Sequence, residues 1–278
     1  MTSSIYELYG EIWGKVDSEL GADLRKSLNP RNPSMLYDMF GGLGVKPDAK
    51  VLDVGCRDAS HAVELARRFR CQVIAVDPVA LHIEKAKKLV SNVGLEHHVE
   101  VKAGCIEALP LDDASVDYIW CRDMLLHVDL PESFTECFRV LRTEGTMLIY
   151  QVFATEMCEP LEAERLFKAL SFVPESTMEE NFETAAQKAG FKIISKEQLD
   201  SEWREAEIEV GDKSLLDHLL YIARMRRARD EMIRQYGEVR YEVNYAGWLL
   251  GIYQMLGKLC PTVYILRKPS EGAQAIVA

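Results

Sequence analysis

The sequence predicts an α/β fold in which helices cover both faces of a doubly wound, mostly parallel sheet of seven strands. Two observations predict it. Between residues 46 and 200, apolar runs typical of strands alternate with segments that have the 3.6-residue apolar period of helices. In addition, residues 49–78 are ordered as strand, tight turn, helix, strand and acid, the order in which a parallel sheet holds a nucleoside.

The N-terminal region, residues 1–45, is predicted to be a helical cap. Asn32 can cap a helix that has Pro33 in its first turn, and the glycines at positions 41, 42 and 44 end it. We therefore expect the sheet to begin after residue 45.

The first predicted strand ends at Gly55, and a helix follows from about residue 58 to 69. A glycine has no Cβ, so at this place it lets a ligand approach the N-terminus of the following helix. The next strand ends at Asp77, followed by Pro78, about twenty residues further on, where a carboxylate can accept hydrogen bonds from ribose hydroxyls.

The alternation continues as far as residue 152. Strands that are separated by helices cannot be joined by hairpins, so the pattern indicates parallel pairing with both faces of the sheet covered. The predicted elements are a helix over 79–93, strands over 99–103 and 116–121, a helix over about 130–142 and a strand over 146–152.

Beyond residue 152 the alternation breaks, and 153–176 read as irregular or partly helical. Thr177 and Glu180 predict a capping box, a sixth strand covers 191–195, and a seventh covers 262–267 after an Arg-rich helical stretch. We interpret that stretch as a helical cover inserted over the carboxyl edge of the sheet. The predicted divisions are a helical cap (1–45), a core (46–200), the inserted cover (201–260) and the last strand with its tail (261–278).

Composition narrows the classes of function. The chain has 278 residues, 48% of them apolar, and a formal net charge of −11, which argues against a broad surface for nucleic acid or anionic membrane. The seven cysteines show no metal-ligand spacing, and an odd number suits a reducing compartment. The N-terminal residues lack a signal-peptide pattern. We expect a cytoplasmic enzyme without metal, nucleic-acid or membrane partners, whose oligomeric state stays open between monomer and homodimer.

Four segments, taken in order, resemble the motifs of the class I S-adenosylmethionine-dependent methyltransferases that act on small molecules, of the methyltransferase domain 11 type. They are residues 51–56, 76–78, 104–110 and 121–128. Each motif alone is weak, whereas four in this order and spacing are specific. The last segment, from Arg122 to His127, is also similar to that of phosphoethanolamine methyltransferases.

The resemblance implies a Rossmann-like methyltransferase fold whose core, residues 46–200, binds S-adenosylmethionine and releases S-adenosylhomocysteine, with no metal. The residues that it assigns to the cofactor are Asp53, Gly55, Cys56, Arg57, Asp77, Pro78, Cys105, Ile106, Glu107, Cys121 and Arg122.

Three positions depart from the family pattern. Arg57 and Ala59 stand where the turn normally has two further glycines, and Cys105 stands where an aspartate commonly holds the adenine amino group. A long cation at position 57 is expected to clash with the methionine part of the cofactor, to swing into solvent or to pair with the cofactor carboxylate.

His127 is the candidate general base, since the intrinsic pKa of imidazole suits proton transfer near neutrality. Asp123 precedes it by four residues, and on one helix the carboxylate would fix the imidazole tautomer or stabilise its protonated form. Two structural alternatives stay open. His127 can pack under the cover or cap a helix end, and Asp123 can serve as a helix N-cap.

The implied function is in-line transfer of a methyl group to an O, N or C atom of a small-molecule acceptor. Tyr6 and Tyr9, on an amphipathic N-terminal segment, either orient that acceptor or pack in the core or at the surface. Three other functions have features of their own. A dehydrogenase would need spaced glycines for a pyrophosphate, and a base-modifying macromolecular methyltransferase usually has an Asn/Asp-Pro-Pro-Tyr/Phe run after the fourth strand. A relative that uses the nucleoside for a non-methylating reaction, or serves only as a binding partner, is favoured chiefly by Arg57.

Overall fold

Seven strands form one sheet in the computed structural model, which describes residues 4–7, 9, 10 and 20–270. Periodicity located all seven strands, and the observed bounds differ from the predicted ones mainly in β5, which begins five residues earlier than predicted. The strands are β1 (Lys50–Val54), β2 (Gln72–Asp77), β3 (Val99–Ala103), β4 (Val116–Arg122), β5 (Leu141–Ala154), β6 (Lys192–Gln198) and β7 (Leu259–Arg267).

The strand order is β3-β2-β1-β4-β5-β7-β6. The first five strands pair in parallel, and β7 runs antiparallel between β5 and β6. From β1 the chain winds outwards through β2 to β3 and then returns to place β4 on the other side of β1. The carboxyl ends of β1 and β4 therefore part at a topological switch point, where folds of this kind bind ligands. The predicted fold class is confirmed.

Ten helices of eight or more residues surround the sheet in the described part of the chain. Two shorter helical turns, Ile5–Glu7 and Leu20–Asp23, precede them. The ten are α1 (Met35–Gly42), α2 (Ser60–Phe69), α3 (Ala80–Asn92), α4 (Leu130–Val140), α5 (Pro160–Leu170), α6 (Glu179–Lys188), α7 (Glu202–Glu209), α8 (Ser214–Arg227), α9 (Arg229–Tyr236) and α10 (Glu238–Met255).

Alternation along the strands divides the core into two layers. Val51 and Trp120 point to the face that carries α1 and α2, whereas their neighbours Leu52 and Ile119 point to the face that carries α4 and α6. All four side chains are fully buried, with 0% of their surface exposed. Successive side chains of a strand point to opposite faces of the sheet. A strand that is buried on both faces therefore needs a nearly continuous apolar sequence.

Two local expectations were wrong. No capping box forms at α6, where the Thr177 hydroxyl instead donates to the Pro174 carbonyl; the capping box lies at α5, between Glu159 and Glu162. Residues 27–32 are irregular, and Ser34 and not Asn32 is the cap of α1, so Pro33 precedes that helix and does not lie in its first turn. The segment 153–176, predicted to be irregular or partly helical, contains α5.

The inserted residues form α7 to α10, and α8 and α10 share a small apolar cluster of their own around Ile222 and Tyr241. Helix α7 instead faces the main core. Its Trp203 ring stacks on Tyr150 at the end of β5, with ring centroids 4.4 Å apart and planes 2° from parallel. This contact brings the insert beside the carboxyl edge of the sheet. Within the described residues, no helix combines the length and apolarity needed to cross a bilayer.

The aromatic packing between α4 and α6 generates a stability prediction. Phe134 of α4 is fully buried and contacts Phe182 edge to face at 5.2 Å. We expect Phe134→Ala to lower the free energy of unfolding by about 3–5 kcal/mol, because transfer and cavity terms add. Urea denaturation measures it. Phe138→Ala on the same helix, at a half-buried position, is the control and should cost clearly less; equal losses would contradict the assignment of Phe134 to the core.

Candidate functional site

A cleft of about 510 Å³ opens at the carboxyl ends of β1, β2 and β4, at the switch point of the sheet. This volume is in the range of small-molecule sites. The residues that line it are Gly55, Cys56, Arg57, Asp58, Ser60, His61, Asp77, His82, Arg122, Asp123, Met124 and His127. Seven residues that the sequence analysis assigned to cofactor or catalysis are therefore brought together in one place.

The turn after β1 is held against both neighbouring strands. Gly55 has φ of +74°, and the amides of Gly55 and Cys56 donate to the Val76 carbonyl of β2 at 2.9 and 3.0 Å. A Cβ on Gly55 would lie 2.8 Å from Cγ and Sδ of Met124, in the segment after β4. Both the left-handed conformation and this close approach require glycine here.

The two positions where the family has glycines keep a glycine-like backbone. Arg57 has φ of +52° and Ala59 has φ of +62°, so both residues adopt the left-handed region that L side chains avoid. The Arg57 side chain is exposed and lines the cleft. The substitutions therefore leave the turn in the conformation of a glycine-rich loop and store strain in it.

Asp77, at the end of β2, is buried and holds the turn in place. Its Oδ2 accepts a hydrogen bond from the Arg57 amide at 2.9 Å, and its Oδ1 accepts one from the Val79 amide at 2.9 Å. His82 Nδ1 lies 2.9 Å from the same Oδ1. Since a carboxylate has about four acceptor sites, the ones left over are available to a ligand in the cleft.

Asp53 lies beneath the turn, 2% exposed, and does not belong to the cleft wall. Burial raises the pKa of its carboxyl from 3.8 to about 7; repulsion by Asp77 and Asp58 adds to this, and the Ala62 amide opposes it. Its Oδ2 has no hydrogen-bond partner among the described residues. A buried carboxylate oxygen without a donor is a favourable partner for a cation.

Asp123 follows β4 in a strained conformation, with φ of +55°, and its amide donates to the Tyr150 carbonyl at 3.0 Å. It is not a helix N-cap, since that position falls to Met124. The carboxylate is walled by protein yet 45% of the side chain opens to the cleft. This environment raises its pKa to about 6 against the lowering influence of Arg122 and Arg204.

His127 ends the short 3₁₀ helix Leu125–His127, and Asp123 lies outside that helix. The expected Asp123–His127 pair on one helix is therefore not formed. Instead, His127 Nδ1 lies 3.1 Å from the Ser171 carbonyl, and the ring meets Phe172 edge to face at 5.1 Å. A carbonyl only accepts, so Nδ1 carries the proton and Nε2 has the free lone pair.

Five residues that line the cleft were not predicted to be functional: Asp58, Ser60, His61, His82 and Met124. His61 and His82 sit in the first turns of α2 and α3, and Met124 packs on Gly55. Only their positions in the sequence could have indicated that the two histidines line the cleft: His61 follows the turn by two residues, and His82 follows Asp77 by five. A histidine on a helix is more often structural, so sequence gave no reason to choose them.

Other predicted site residues lie outside the cleft lining. Cys121 and Ile106 are buried in the core, Cys105 and Glu107 are half-buried, and Pro78 is exposed. Their assignments to the cofactor stay predictions.

The two N-terminal tyrosines also lie outside the lining, and 85% of Tyr6 and 66% of Tyr9 is exposed. Their role in binding the acceptor stays a prediction. Within residues 4–7, 9, 10 and 20–270, no group of three or more His, Cys, Asp or Glu side chains is arranged to hold a metal ion.

The residues present fit S-adenosylmethionine. The partnerless Asp53 oxygen and the remaining acceptor sites of Asp77 suit the ammonium and ribose hydroxyls of that molecule. Gly55 lets the turn lie against Met124, so that the segments after β1 and β4 border one cleft. The cleft has no additional glycines for a pyrophosphate, which disfavours a dinucleotide.

Comparisons with known proteins agree with this fit. The family model described as methyltransferase domain matches residues 52–149. The chain is 27% identical over 157 residues to the glycine/sarcosine/dimethylglycine N-methyltransferase of Actinopolyspora halophila, and 28% identical over 156 residues to the sarcosine/dimethylglycine N-methyltransferase of Halorhodospira halochloris. These matches cover 55% and 54% of this chain, but only 28% and 55% of the relatives.

Solved structures share the fold over most of the chain. A Haemonchus contortus phosphoethanolamine N-methyltransferase 2 superposes with a TM-score of 0.66 at 19% identity, covering 88% of this chain and 54% of that one. The cyclase SpnF superposes with a TM-score of 0.65 at 20% identity, covering 85% and 81%. The predicted resemblance to class I small-molecule methyltransferases is confirmed.

Strain at Arg57 is testable. We expect Arg57→Gly to raise the free energy of unfolding by about 0.5–1 kcal/mol, because relief of the left-handed conformation exceeds the added entropy of the unfolded chain. Arg57→Ala, which keeps the strain while removing the charge, is the matched control and should show no gain in urea denaturation. An equal gain in both variants would mean that the charge, and not the backbone, is responsible.

The buried Asp53 carboxyl generates a pH prediction. Its folded-state pKa of about 7 lies above the usual 3.8, so the folded protein binds the extra proton and the free energy of unfolding falls as pH rises from about 4 to 7. Asp53→Asn removes this term. Relative to the wild type, the variant should gain up to about 4 kcal/mol between pH 4 and 8 in urea titrations.

Glu202→Gln is the control for that series, because Glu202 does not act on Asp53. The pKa of Glu202 is lowered chiefly by its hydrogen bond to Arg31, although burial opposes the shift, so it is ionised in both states above about pH 6. Its difference from the wild type should stay constant from about pH 6 to 8. A constant difference for Asp53→Asn as well would show that Asp53 is not the titrating group.

Proposed function

We propose that this protein is an S-adenosylmethionine-dependent methyltransferase that moves a methyl group to an O, N or C atom of a small-molecule acceptor. One observation carries the proposal. The switch-point cleft joins the glycine turn after β1, the acid that ends β2 and two proton acceptors after β4, Asp123 and His127. A methyl transferase needs these parts in one place: a nucleoside cradle and, beside it, groups that receive a proton.

The turn and the two aspartates serve the cofactor. Asp77 offers its remaining acceptor sites to the ribose hydroxyls while its bonds to Arg57 and Val79 keep it immobile. Asp53 supplies negative charge beneath the methionine end, and Gly55 gives the backbone its close approach. When bound, S-adenosylmethionine supplies a methyl group already activated by sulfonium charge. Orientation of the two reactants then contributes a large part of the rate.

Asp123 and His127 each can take the acceptor proton. The Ser171 carbonyl holds the Nδ1–H tautomer of His127, which leaves Nε2 as a base. Partial burial raises the pKa of Asp123 above the usual value, which makes it more basic than a surface carboxylate. The two groups act from separate elements of the segment after β4, so one does not depend on the other.

The cleft favours a compact, polar acceptor. Met124 is the one long apolar side chain among the residues that line it, and charged or imidazole groups form most of the wall. Desolvating these groups against an extended hydrocarbon would be costly. The names of the relatives from Actinopolyspora and Halorhodospira describe action on glycine and its N-methyl derivatives, which extends the proposal to an amine acceptor.

The net charge of −11 supports a free metabolite and not a nucleic acid as the acceptor. We include in the proposal a cytoplasmic location, in agreement with seven free cysteines. The oligomeric state stays open between monomer and homodimer.

A second candidate function is supported by the likeness to the cyclase SpnF, since one fold hosts different chemistry. In this case the nucleoside would be bound but not consumed. Release of S-adenosylhomocysteine separates the two functions.

The activity test combines an acceptor screen with variants. Glycine, sarcosine and dimethylglycine are offered with S-adenosylmethionine, and S-adenosylhomocysteine release is measured. Against the acceptor turned over, we expect the double variant His127→Ala, Asp123→Asn to lower kcat by about 10²–10⁴-fold, because both proton acceptors are lost, whereas each single variant should lower kcat by less, because the other acceptor remains. His97→Ala, at an exposed position of a loop, is the control and should keep wild-type kcat.

Binding of neither S-adenosylmethionine nor S-adenosylhomocysteine in calorimetry would contradict the proposed function. Methyl transfer that is unchanged in His127→Ala would exclude that residue as the base and leave the reaction class standing.

A further inference from the structure

The guanidinium of Arg122 faces the cleft with most of its hydrogen-bonding capacity unused. A guanidinium has five N–H donors. Within the described residues, one of them is used: Nη1 lies 3.2 Å from Nε2 of His61. Nε lies 3.6 Å from Oδ2 of Asp123, which is an ion pair but longer than a hydrogen bond. With only 28% of the side chain exposed, solvent reaches little of this group.

The position of Arg122 is nevertheless fixed from two sides. Its guanidinium carbon lies 5.3 Å from the centre of the Trp203 ring and 5.5 Å from that of Tyr150, the stacked pair at the edge of the sheet. Since the two rings stack on each other and the guanidinium carbon is nearly equidistant from their centres, the guanidinium packs beside the pair, and these contacts limit its movement. The edge is the part of the fork that matches a carboxylate.

His61 fixes the direction of that fork. Arg122 only donates, so Nε2 of His61 must accept, and the ring proton is on Nδ1, which lies 2.6 Å from the Tyr37 hydroxyl. Burial and the charge of Arg122 lower the pKa of His61 to about 4, in accordance with a neutral ring. Tyr37 itself stacks on the buried Trp120 at 5.0 Å. The chain of contacts thus runs from the core to the cleft.

We propose that Arg122 is a carboxylate-binding subsite of the cleft and that His61, backed by Tyr37, is the positioning residue that aims its guanidinium. The inference rests on the proposed function, because two molecules of that reaction can supply the carboxylate. One is the methionine part of the cofactor, and the other is an amino-acid acceptor. Both offer a planar carboxylate that the fork of an arginine can bind with two hydrogen bonds.

The subsite also accounts for the chemistry of its neighbour. A carboxylate bound at Arg122 takes over the guanidinium edge that Asp123 contacts only loosely, at 3.6 Å. Asp123 is then less stabilised as an anion and more ready to accept a proton. Binding of the ligand therefore prepares the proposed base beside it.

Two calorimetric titrations on the full chain test the subsite and its source. The first compares S-adenosylmethionine with its decarboxylated form, which lacks only the carboxylate. The second adds sarcosine to protein saturated with S-adenosylhomocysteine. We expect Arg122→Met to weaken one of the carboxylate ligands by about 10- to 100-fold, the usual range for loss of a charged hydrogen-bonded pair. Arg67→Met, at an exposed position on α2, is the matched control and should bind as the wild type does.

The arms identify the source. If Arg122→Met lowers the affinity for S-adenosylmethionine but not for its decarboxylated form, the subsite belongs to the cofactor. If it lowers the affinity for sarcosine, the subsite belongs to the acceptor. Wild-type affinity of Arg122→Met for S-adenosylmethionine and sarcosine overturns the subsite, and so does an equal loss of affinity for both forms of the cofactor without an effect on sarcosine. Wild-type protein that binds no adenosyl compound contradicts the proposed function instead.

The positioning role is tested by two variants of His61. His61→Gln keeps an acceptor atom in place of Nε2, so it should retain affinity within about threefold, whereas His61→Phe keeps the ring but removes the acceptor and should reproduce most of the loss seen in Arg122→Met. Circular dichroism verifies that both variants fold. Equal, wild-type affinity in His61→Phe and His61→Gln would overturn the role of His61 and leave Arg122 as an independent binding residue.

Discussion

The contact between Gly55 and Met124 is the constraint on which the cleft depends. It joins the turn after β1 to the segment after β4 at the point where the strand order reverses, with no room for a Cβ. Because the two loops meet here, the groups that they carry face one space. Asp77 comes from the end of β2, and Arg122 and Asp123 come from the end of β4, and yet all three line a single cleft. The parallel sheet places the carboxyl ends of the strands at one edge, and the close approach of the two loops forms the bottom of the cleft there.

Strain and charge are concentrated around this contact. Arg57, Ala59 and Asp123 all have positive φ, and two of their amides are anchored to neighbouring strands, at Asp77 and at the Tyr150 carbonyl. Such conformations persist because their surroundings over-determine them. The three carboxylates differ accordingly: Asp53 is buried with one oxygen that has no donor among the described residues, Asp77 is held by amides, and Asp123 opens to the cleft. One residue type thus performs three tasks through its environment.

Most of the fold was predictable because it rests on local periodicity. The strands β1 to β4 match the predicted ranges to within one or two residues, since a strand buried on both faces needs a short apolar run. The errors have tertiary causes. Leu141 extends β5 backwards by pairing with Val116, and the Thr177 hydroxyl donates to the Pro174 carbonyl, so the capping box predicted for α6 does not form. Strand partners and the hydrogen bonds that a side chain makes are decided only when the chain folds.

For the site, the sequence by itself determined which residues follow each strand, because order along the chain fixes what stands at the carboxyl edge of a parallel sheet. Gly55, Asp77 and Asp123 were found in this way. Only the tertiary structure decided the partners. His127 is bound by Ser171, 44 residues away, instead of Asp123, and His61 meets Arg122 across 61 residues. Hydrogen bonds between elements depend on how the helices pack on the sheet, and the spacing of residues along the sequence does not determine that packing.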